Sequence, residues 1–152
     1  MAPSYARTRR SAGWGWYSAP MDMTSRAVTL FNGDTYAQNL GARFVSDTDG
    51  VIVIELTVMD DHCNVHGTLH GAVSYGLADI AFAIASNVAG PQAVAIDVHM
   101  VYSGSAAAGD TITARCTELR RGRSLATYRS DVTAGDRLIG AFTGTVLIKQ
   151  DT

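Results

Sequence analysis

Residues 69–87 read Leu69-His-Gly-Ala-Val-Ser-Tyr-Gly-Leu-Ala-Asp-Ile-Ala-Phe-Ala-Ile-Ala-Ser-Asn87. The larger apolar residues Leu69, Val73, Leu77, Ile80, Ile84 and Val88 recur every three or four positions, which predicts a helix. Gly71, Ala72, Gly76, Ala78, Ala81, Ala83 and Ala85 are small enough to let a sheet approach its surface closely. Gly90-Pro91 marks its end. A single carboxylate, Asp79, stands in the middle of this apolar run. An unpaired charge there costs several kcal/mol if buried, so it must neutralise, find a partner or do chemistry.

Strand signals flank the helix. Ala42–Asp47 and Val51–Val58 predict two strands around the hairpin turn Asp47-Thr-Asp-Gly50. Asp34 to Leu40 predicts a short helix, with Asp34 as its N-cap and Gly41 as its stop. Residues 60–69 are polar, with Asn64 and Gly67 as breakers, and predict a loop. Beyond the helix, Ala93–Ser103, Thr111–Arg120, Ser124–Val132 and Leu138–Ile148 predict four more strands. Alternation is clearest in Thr111–Leu119 and Ala126–Val132. The order implies an α+β domain, one helix laid on an antiparallel sheet of about five or six strands.

The chain has 152 residues, enough for one domain with a substantial core. A net charge of −2 gives no reason to expect nucleic acid or an anionic membrane as partner. No run reaches the roughly 20 apolar residues needed to span a bilayer. Cys63 and Cys116 fit no metal spacing and read as free thiols in a reducing, cytoplasmic setting. Residues 1–26 are rich in Arg and Ser and include Trp14, Trp16 and Tyr17, without apolar periodicity. They read as a mobile tail before a domain at 27–152. An Arg- and Ser-rich start also suits a transit peptide, and the aromatic cluster suits docking on the body or on a neighbouring subunit.

Asn64-Val-His-Gly-Thr-Leu-His-Gly-Ala72, Leu77-Ala-Asp-Ile-Ala-Phe-Ala83 and Ala108-Gly-Asp-Thr-Ile-Thr-Ala114 together resemble the hot-dog-fold acyl-CoA thioesterases, in particular the phenylacetate-degradation (PaaI-like) type. The resemblance covers roughly residues 34–149. It implies a long helix on a curved antiparallel sheet, hydrolysis of acyl-CoA, two sites per dimer and often a tetramer. It implies no metal and no cofactor beyond the coenzyme A of the substrate. The family usually reads His-Gly-Gly; here Ala72 takes the third place, and Gly71, whose amide the family uses, is retained.

Helical geometry limits how these residues cooperate. Gly71 and Asp79 are eight residues apart, about 12 Å along a helix axis. His70 and Asp79 are nine apart, about 180° around it. One thioester carbonyl cannot reach both ends of that span. If Gly71 and Asp79 both act, antiparallel copies of the helix related by a two-fold axis must share the site. The Gly71 amide at the helix start is then the oxyanion donor. Asp79 is the general base or the nucleophile. Asn64 either donates to the carboxylate or water, or makes a turn. His70 reads as the residue that fixes the helix start.

His62, His66 and His70 are spaced by four, but Gly67 and the polar loop argue against one metal-binding helix. Arg120-Arg-Gly-Arg-Ser124 is a basic turn, and Arg121, Gly122, Arg123 and Ser124 are its candidate phosphate ligands. Ala72, Val73, Tyr75, Leu77 and Phe82 are candidates to line an acyl pocket for a small aromatic or medium-chain group. Two other functions compete: an acyl-thioester hydratase or dehydratase on the same fold, and a non-catalytic acyl-CoA-binding module.

Overall fold

The computed structural model describes residues 23–149. Residues 1–22, and with them the Trp14–Tyr17 cluster and most of the expected tail, lie outside the described residues. The elements run α1 (Met23–Gly33), α2 (Thr35–Leu40), β1 (Arg43–Thr48), β2 (Val51–Thr57), a single 3₁₀ turn (Asp60–His62), α3 (Gly71–Asn87), β3 (Ala93–Tyr102), β4 (Thr111–Arg121), β5 (Leu125–Ala134) and β6 (Arg137–Ile148).

The six strands form one antiparallel sheet in the order β1-β2-β4-β5-β6-β3. This is the α+β arrangement that the strand and helix signals imply. α3 packs on β2, β3, β4, β5 and β6. A helix about 10 Å across cannot touch five strands spaced about 4.8 Å apart unless the sheet curls about it or it crosses them obliquely. Alternation supplies the buried face: Ile112, Ala114 and Cys116 on β4, Tyr128 and Val132 on β5, Phe142 and Val146 on β6. Phe82 is the centre of this packing, set edge-on to Tyr128 at 5.5 Å and tilted against Phe142 at 5.4 Å. Its ring lies on the backbone of Gly144, where an added Cβ would stand 2.7 Å from Phe82 Cζ. Cys116 is a packing residue whose thiol burial pushes up to about 12; Cys63 is also a free thiol.

Local signals account for the element ends. Asp49 and Gly50 both take positive φ, 54° and 74°, as the two-residue turn between β1 and β2 requires. Asp34 caps α2 by accepting from the Ala37 amide at 3.1 Å, and Gly41 closes it in the left-handed region. α3 starts at Gly71 rather than Leu69, because Leu69 is held in an isolated bridge with Cys63. It ends before Gly90-Pro91 at Asn87, whose side chain bonds both Ala93 N–H and Ala93 C=O and so ties the helix end to β3.

Helix α1 has no counterpart among the sequence expectations, and it begins inside the segment read as a tail. Among its described side chains Ala27 and Phe31 are buried and Leu30 packs against the core, with Phe31 6.0 Å from Phe44. Arg26 also donates to the Gly90 carbonyl at 2.8 Å. The described anchors, Ala27, Leu30 and Phe31, are too few to announce a helical period in the sequence.

Candidate active site

The start of α3 is pinned from two sides. Leu69 N–H donates to Ala106 C=O at 2.8 Å, and His70 N–H to His62 C=O at 2.9 Å. His70 is the N-cap, in extended backbone. Its Nδ1 accepts from the Ala72 amide at 3.0 Å and its carbonyl from the Val73 amide at 2.9 Å. An Nδ1 that accepts is unprotonated, so a neutral ring carries its hydrogen on Nε2. Two of the amides that open the helix are thereby occupied. The Gly71 amide has no acceptor among the described residues. It projects from the positive end of a 17-residue helix, where an anion is favoured. The Tyr102 ring lies against the Cα of Gly71, with Cε1 3.1 Å from where a Cβ would stand.

Asp79 lies two turns along the same helix. It is half-buried and has no hydrogen-bond donor among the described residues. Burial, and secondarily the charge of Asp34, raise its carboxyl above the ordinary aspartate value. Tyr75, one turn before it, packs edge-on to Phe142 at 5.6 Å. Burial, then Asp79 and Tyr102, raise the Tyr75 phenol. From the other side the Tyr36 hydroxyl comes within 2.5 Å of the place a Cβ on Gly76 would take. Tyr36, Tyr75 and Tyr102 therefore gather around the stretch of α3 between Gly71 and Asp79.

Sequence reasoning named Tyr75 but missed Asp34, Tyr36 and Tyr102 as neighbours of the site. They come from α2 and the end of β3, and no local spacing announces them. Of the other acyl-pocket candidates, Leu77 and Phe82 are fully buried in the core, Val73 packs against it, and Ala72 is exposed.

Asn64 organises the loop before α3. Its Oδ1 accepts from His66 N–H at 2.9 Å, and its Nδ2 donates to Thr68 Oγ1 at 3.2 Å. His62 Nδ1 accepts from Met59 N–H at 3.1 Å. Among the described residues no three His, Cys, Asp or Glu side chains are grouped to hold a metal ion.

The basic turn divides its arginines. The β4–β5 register shifts between Glu118 and Arg120, so that Glu118 opposes Tyr128, Arg120 opposes Thr127 and Arg121 opposes Ala126. This bulge turns Arg121 to the same sheet face as Glu118 and Tyr128. Arg121 Nε donates to Glu118 Oε2 at 2.8 Å, its other nitrogen to the Tyr128 hydroxyl at 2.6 Å, and that hydroxyl to Glu118 at 2.7 Å. Arg120 is sent to the opposite face. There a shallow depression of about 450 Å³ is lined by Arg120, Gly122, Arg123, Ser124, Leu125 and Thr127. Arg121 does not line it. A second depression, of about 490 Å³, lies between Gly41, Arg43, Glu55 and His62, away from Gly71 and Asp79.

These parts are strung along the chain. The start of α3 meets the sheet end that carries Tyr102 and Ala106. The basic depression lies at the other end, where Ile148 N–H donates to Ser124 C=O and Asn87 closes the helix on Ala93. The free amide, the carboxylate and the arginines of a single chain do not converge on one point.

Residues 66–141 match the model of the thioesterase superfamily. The chain is 37% identical to a protein of Deinococcus radiodurans described as a putative esterase, covering 89% of this chain and 92% of the relative. It is 32% identical to the acyl-coenzyme A thioesterase PaaI of Escherichia coli, covering 70% of this chain and 76% of that one. The structure of that E. coli protein, from the phenylacetic acid degradation operon, superposes with a TM-score of 0.79, covering 86% of this chain and 99% of that one. A mutant of the phenylacetic acid degradation protein PaaI from Thermus thermophilus superposes at 0.73 with 40% identity, covering 76% of this chain and all of that one.

Proposed function

This chain belongs to the thioesterase superfamily, in its PaaI-like, hot-dog-fold branch, and we propose that it hydrolyses an acyl-CoA thioester in a site shared by two copies. The observation that carries this reading is the pair of unmatched groups on α3. Among the described residues Gly71 presents an amide without an acceptor, and Asp79 a half-buried carboxylate without a donor, about 12 Å apart along one helix axis.

A two-fold axis sets the Gly71 of one copy opposite the Asp79 of the other. The outward stripe of α3, Ala72, Asp79 and Ala83, is short enough for another helix to come close. β3 is an edge strand of ten residues, with Ile96 and Val101 more than half exposed, as an edge that pairs with a second copy would be. The dimer is the minimal active unit, and two dimers make a tetramer.

In that site the thioester oxygen accepts from the Gly71 amide, which holds the negative charge that develops on it. Asp79 acts in one of two ways. As a base it takes a proton from water; the hydroxide attacks the carbonyl carbon, the C–S bond breaks and the thiolate leaves with a proton. As a nucleophile it forms the acyl–oxygen bond itself, expels the thiolate, and water then cleaves the mixed anhydride. Neither route needs a cofactor, because coenzyme A is part of the substrate. A carboxyl with a raised pKa suits a base, since its conjugate acid lies nearer neutrality.

Tyr36, Tyr75 and Tyr102 favour a small aromatic acyl group, phenylacetyl in type, or a medium-length chain. Arg120 and Arg123 with Ser124 and Gly122 receive the phosphates. Arg121 supports the turn through Glu118 and Tyr128. Two free thiols, one of them buried, fit a cytoplasmic protein. Among the described residues no helix is long and apolar enough to cross a membrane.

A thiol-release assay over phenylacetyl-, hydroxyphenylacetyl- and medium-chain acyl-CoA tests the activity. Release from none of them overturns the reading. Mixing an inactive Gly71→Val chain with an inactive Asp79→Asn chain tests the shared site. Mixed dimers regain one intact site of two, whereas sites confined to one chain regain nothing. A single turnover in ¹⁸O-water separates the two routes, because only the nucleophile route can leave the label on Asp79.

A further inference from the structure

Three phenols stand around α3 between Gly71 and Asp79, and they differ in place. Tyr36 reaches over Gly76 from α2. Tyr75 lies on α3 itself, midway between Gly71 and Asp79, with its ring against Phe142. Tyr102 is the last residue of β3, the edge strand of the proposed pairing, and is 54% exposed. Its ring rests on the start of the helix. Cζ, the carbon that bears the hydroxyl, is 3.2 Å from the place a Cβ on Gly71 would take. The Tyr102 hydroxyl has no hydrogen-bond partner among the described residues.

Within one chain this hydroxyl and Asp79 are kept apart, because Asp79 lies about 12 Å beyond Gly71 along the helix axis. The two-fold axis of the proposed dimer changes the neighbour. It sets a second copy's Asp79 opposite Gly71, and Tyr102 already lies against Gly71. The axis crosses α3 halfway, at Tyr75, so Tyr75 faces its own counterpart. A carboxylate in need of a donor and a phenol in need of an acceptor are thereby brought to the same end of the shared site.

Resting on that shared hydrolytic site, we propose that Tyr102 is a positioning residue whose hydroxyl donates a hydrogen bond to the Asp79 carboxylate of a second copy. The bond holds one carboxylate oxygen and leaves the other for the attacking water or the thioester carbonyl. It also favours the ionised form, since a hydrogen bond to a carboxylate lowers its pKa. It therefore opposes burial and the charge of Asp34, which raise the Asp79 carboxyl. The other titratable groups around this carboxylate are Tyr75 on its own helix, Tyr36 and Asp34 from α2, and His70 across the two-fold axis. His70 is the rival donor. Its Nδ1 faces the Ala72 amide, so its Nε2–H points away from the helix start, whereas the Tyr102 ring lies directly on Gly71.

The test is the pH profile of kcat/KM, measured by thiol release from an acyl-CoA that the wild-type chain hydrolyses. Tyr102→Phe keeps the ring on Gly71 and removes only the hydroxyl. The Asp79 carboxyl then rises, and the acid limb of the profile should move to higher pH by about one unit. That is about a tenfold loss below the limb, shrinking as pH rises above it. A limb that stays in place overturns the proposal, and so does one that moves with His70→Ala but not with Tyr102→Phe. Mixed dimers then assign the chain. An Asp79→Asn chain and a Gly71→Val chain together form one working site, with Gly71 and Tyr102 from the first and Asp79 from the second. Tyr102→Phe added to the Asp79→Asn chain should move the limb of that site. Added to the Gly71→Val chain, it falls in the dead site and should leave the limb in place. The reverse pattern overturns the proposal while the shared site stands. Mixed chains that recover no activity with Tyr102 intact sink the shared site itself, and the proposal with it.

Discussion

On α3 the face toward the sheet carries Leu77, Ala78, Ala81, Phe82 and Ile84, none more than 3% exposed. The other face carries Ala72, Asp79 and Ala83, partly or fully open, with the Gly71 amide, which has no acceptor among the described residues, at its head. The first face is matched: its large side chains are apolar, the buried Ser74 and Ser86 hydroxyls donate to Gly71 C=O and Ala83 C=O, and Phe82 sits on the backbone of Gly144. The second is left unmatched among the described residues, with a donor lacking an acceptor, a carboxylate lacking a donor and small, open side chains beside them. One helix thus holds the domain together with one side and, in the proposed site, leaves the other for chemistry. Variants on the two faces should separate stability from turnover.

Asp79→Asn is the strongest test. It should lower kcat by about 10²–10⁴-fold, the usual worth of a positioned acid–base group. It should also raise the melting temperature at neutral pH. The folded state holds the Asp79 carboxyl at a raised pKa, so the wild-type fold carries a penalty whenever that group is ionised. The penalty is full above the raised value and vanishes as pH falls through it toward the ordinary aspartate value. The melting-temperature gain of the variant should shrink over the same window. A variant that loses activity only by losing structure would remove the distinction between the faces.

Phe82→Ala, on the other face, should cost about 3–5 kcal/mol of stability by denaturant titration. Whatever remains folded should retain most of its kcat. Gly71→Ala keeps the amide but pushes a methyl group toward the Tyr102 ring. A displacement of that kind should cost about tenfold in kcat or more, with little change in melting. Rescue by Tyr102→Ala in the same chain would identify the ring contact as the cause. His70→Ala removes the cap on the Ala72 amide and should cost only about 1 kcal/mol, the usual worth of an N-cap.

The sequence signals were strongest where chemistry is local. The helix, the Asp34 and Gly41 caps of α2, the Asp49-Gly50 turn and the order of six strands all follow from spacing within a few residues. The role of His70 at the helix start was legible for the same reason, because a cap acts on amides two or three positions away. The arginines were legible only as a group. A bulge of one residue at Leu119 decided that Arg121 turns to Glu118 while Arg120 opens to solvent, and nothing in the run Arg120-Arg-Gly-Arg123 predicts it. Helix α1 was not legible because few of its described side chains reach the core.

By itself, then, the sequence settled the α+β class and the residues that carry α3, because periodicity and short-range hydrogen bonding are written in neighbouring positions, and its motifs carried the resemblance to the family. It also showed by helical geometry alone that Gly71 and Asp79 of one chain cannot meet. Only the tertiary structure decided which amide is left open, what raises the Asp79 carboxyl and which tyrosines stand around it. Those depend on α2 and the end of β3 arriving at α3 from distant parts of the chain, and sequence spacing holds no record of such encounters.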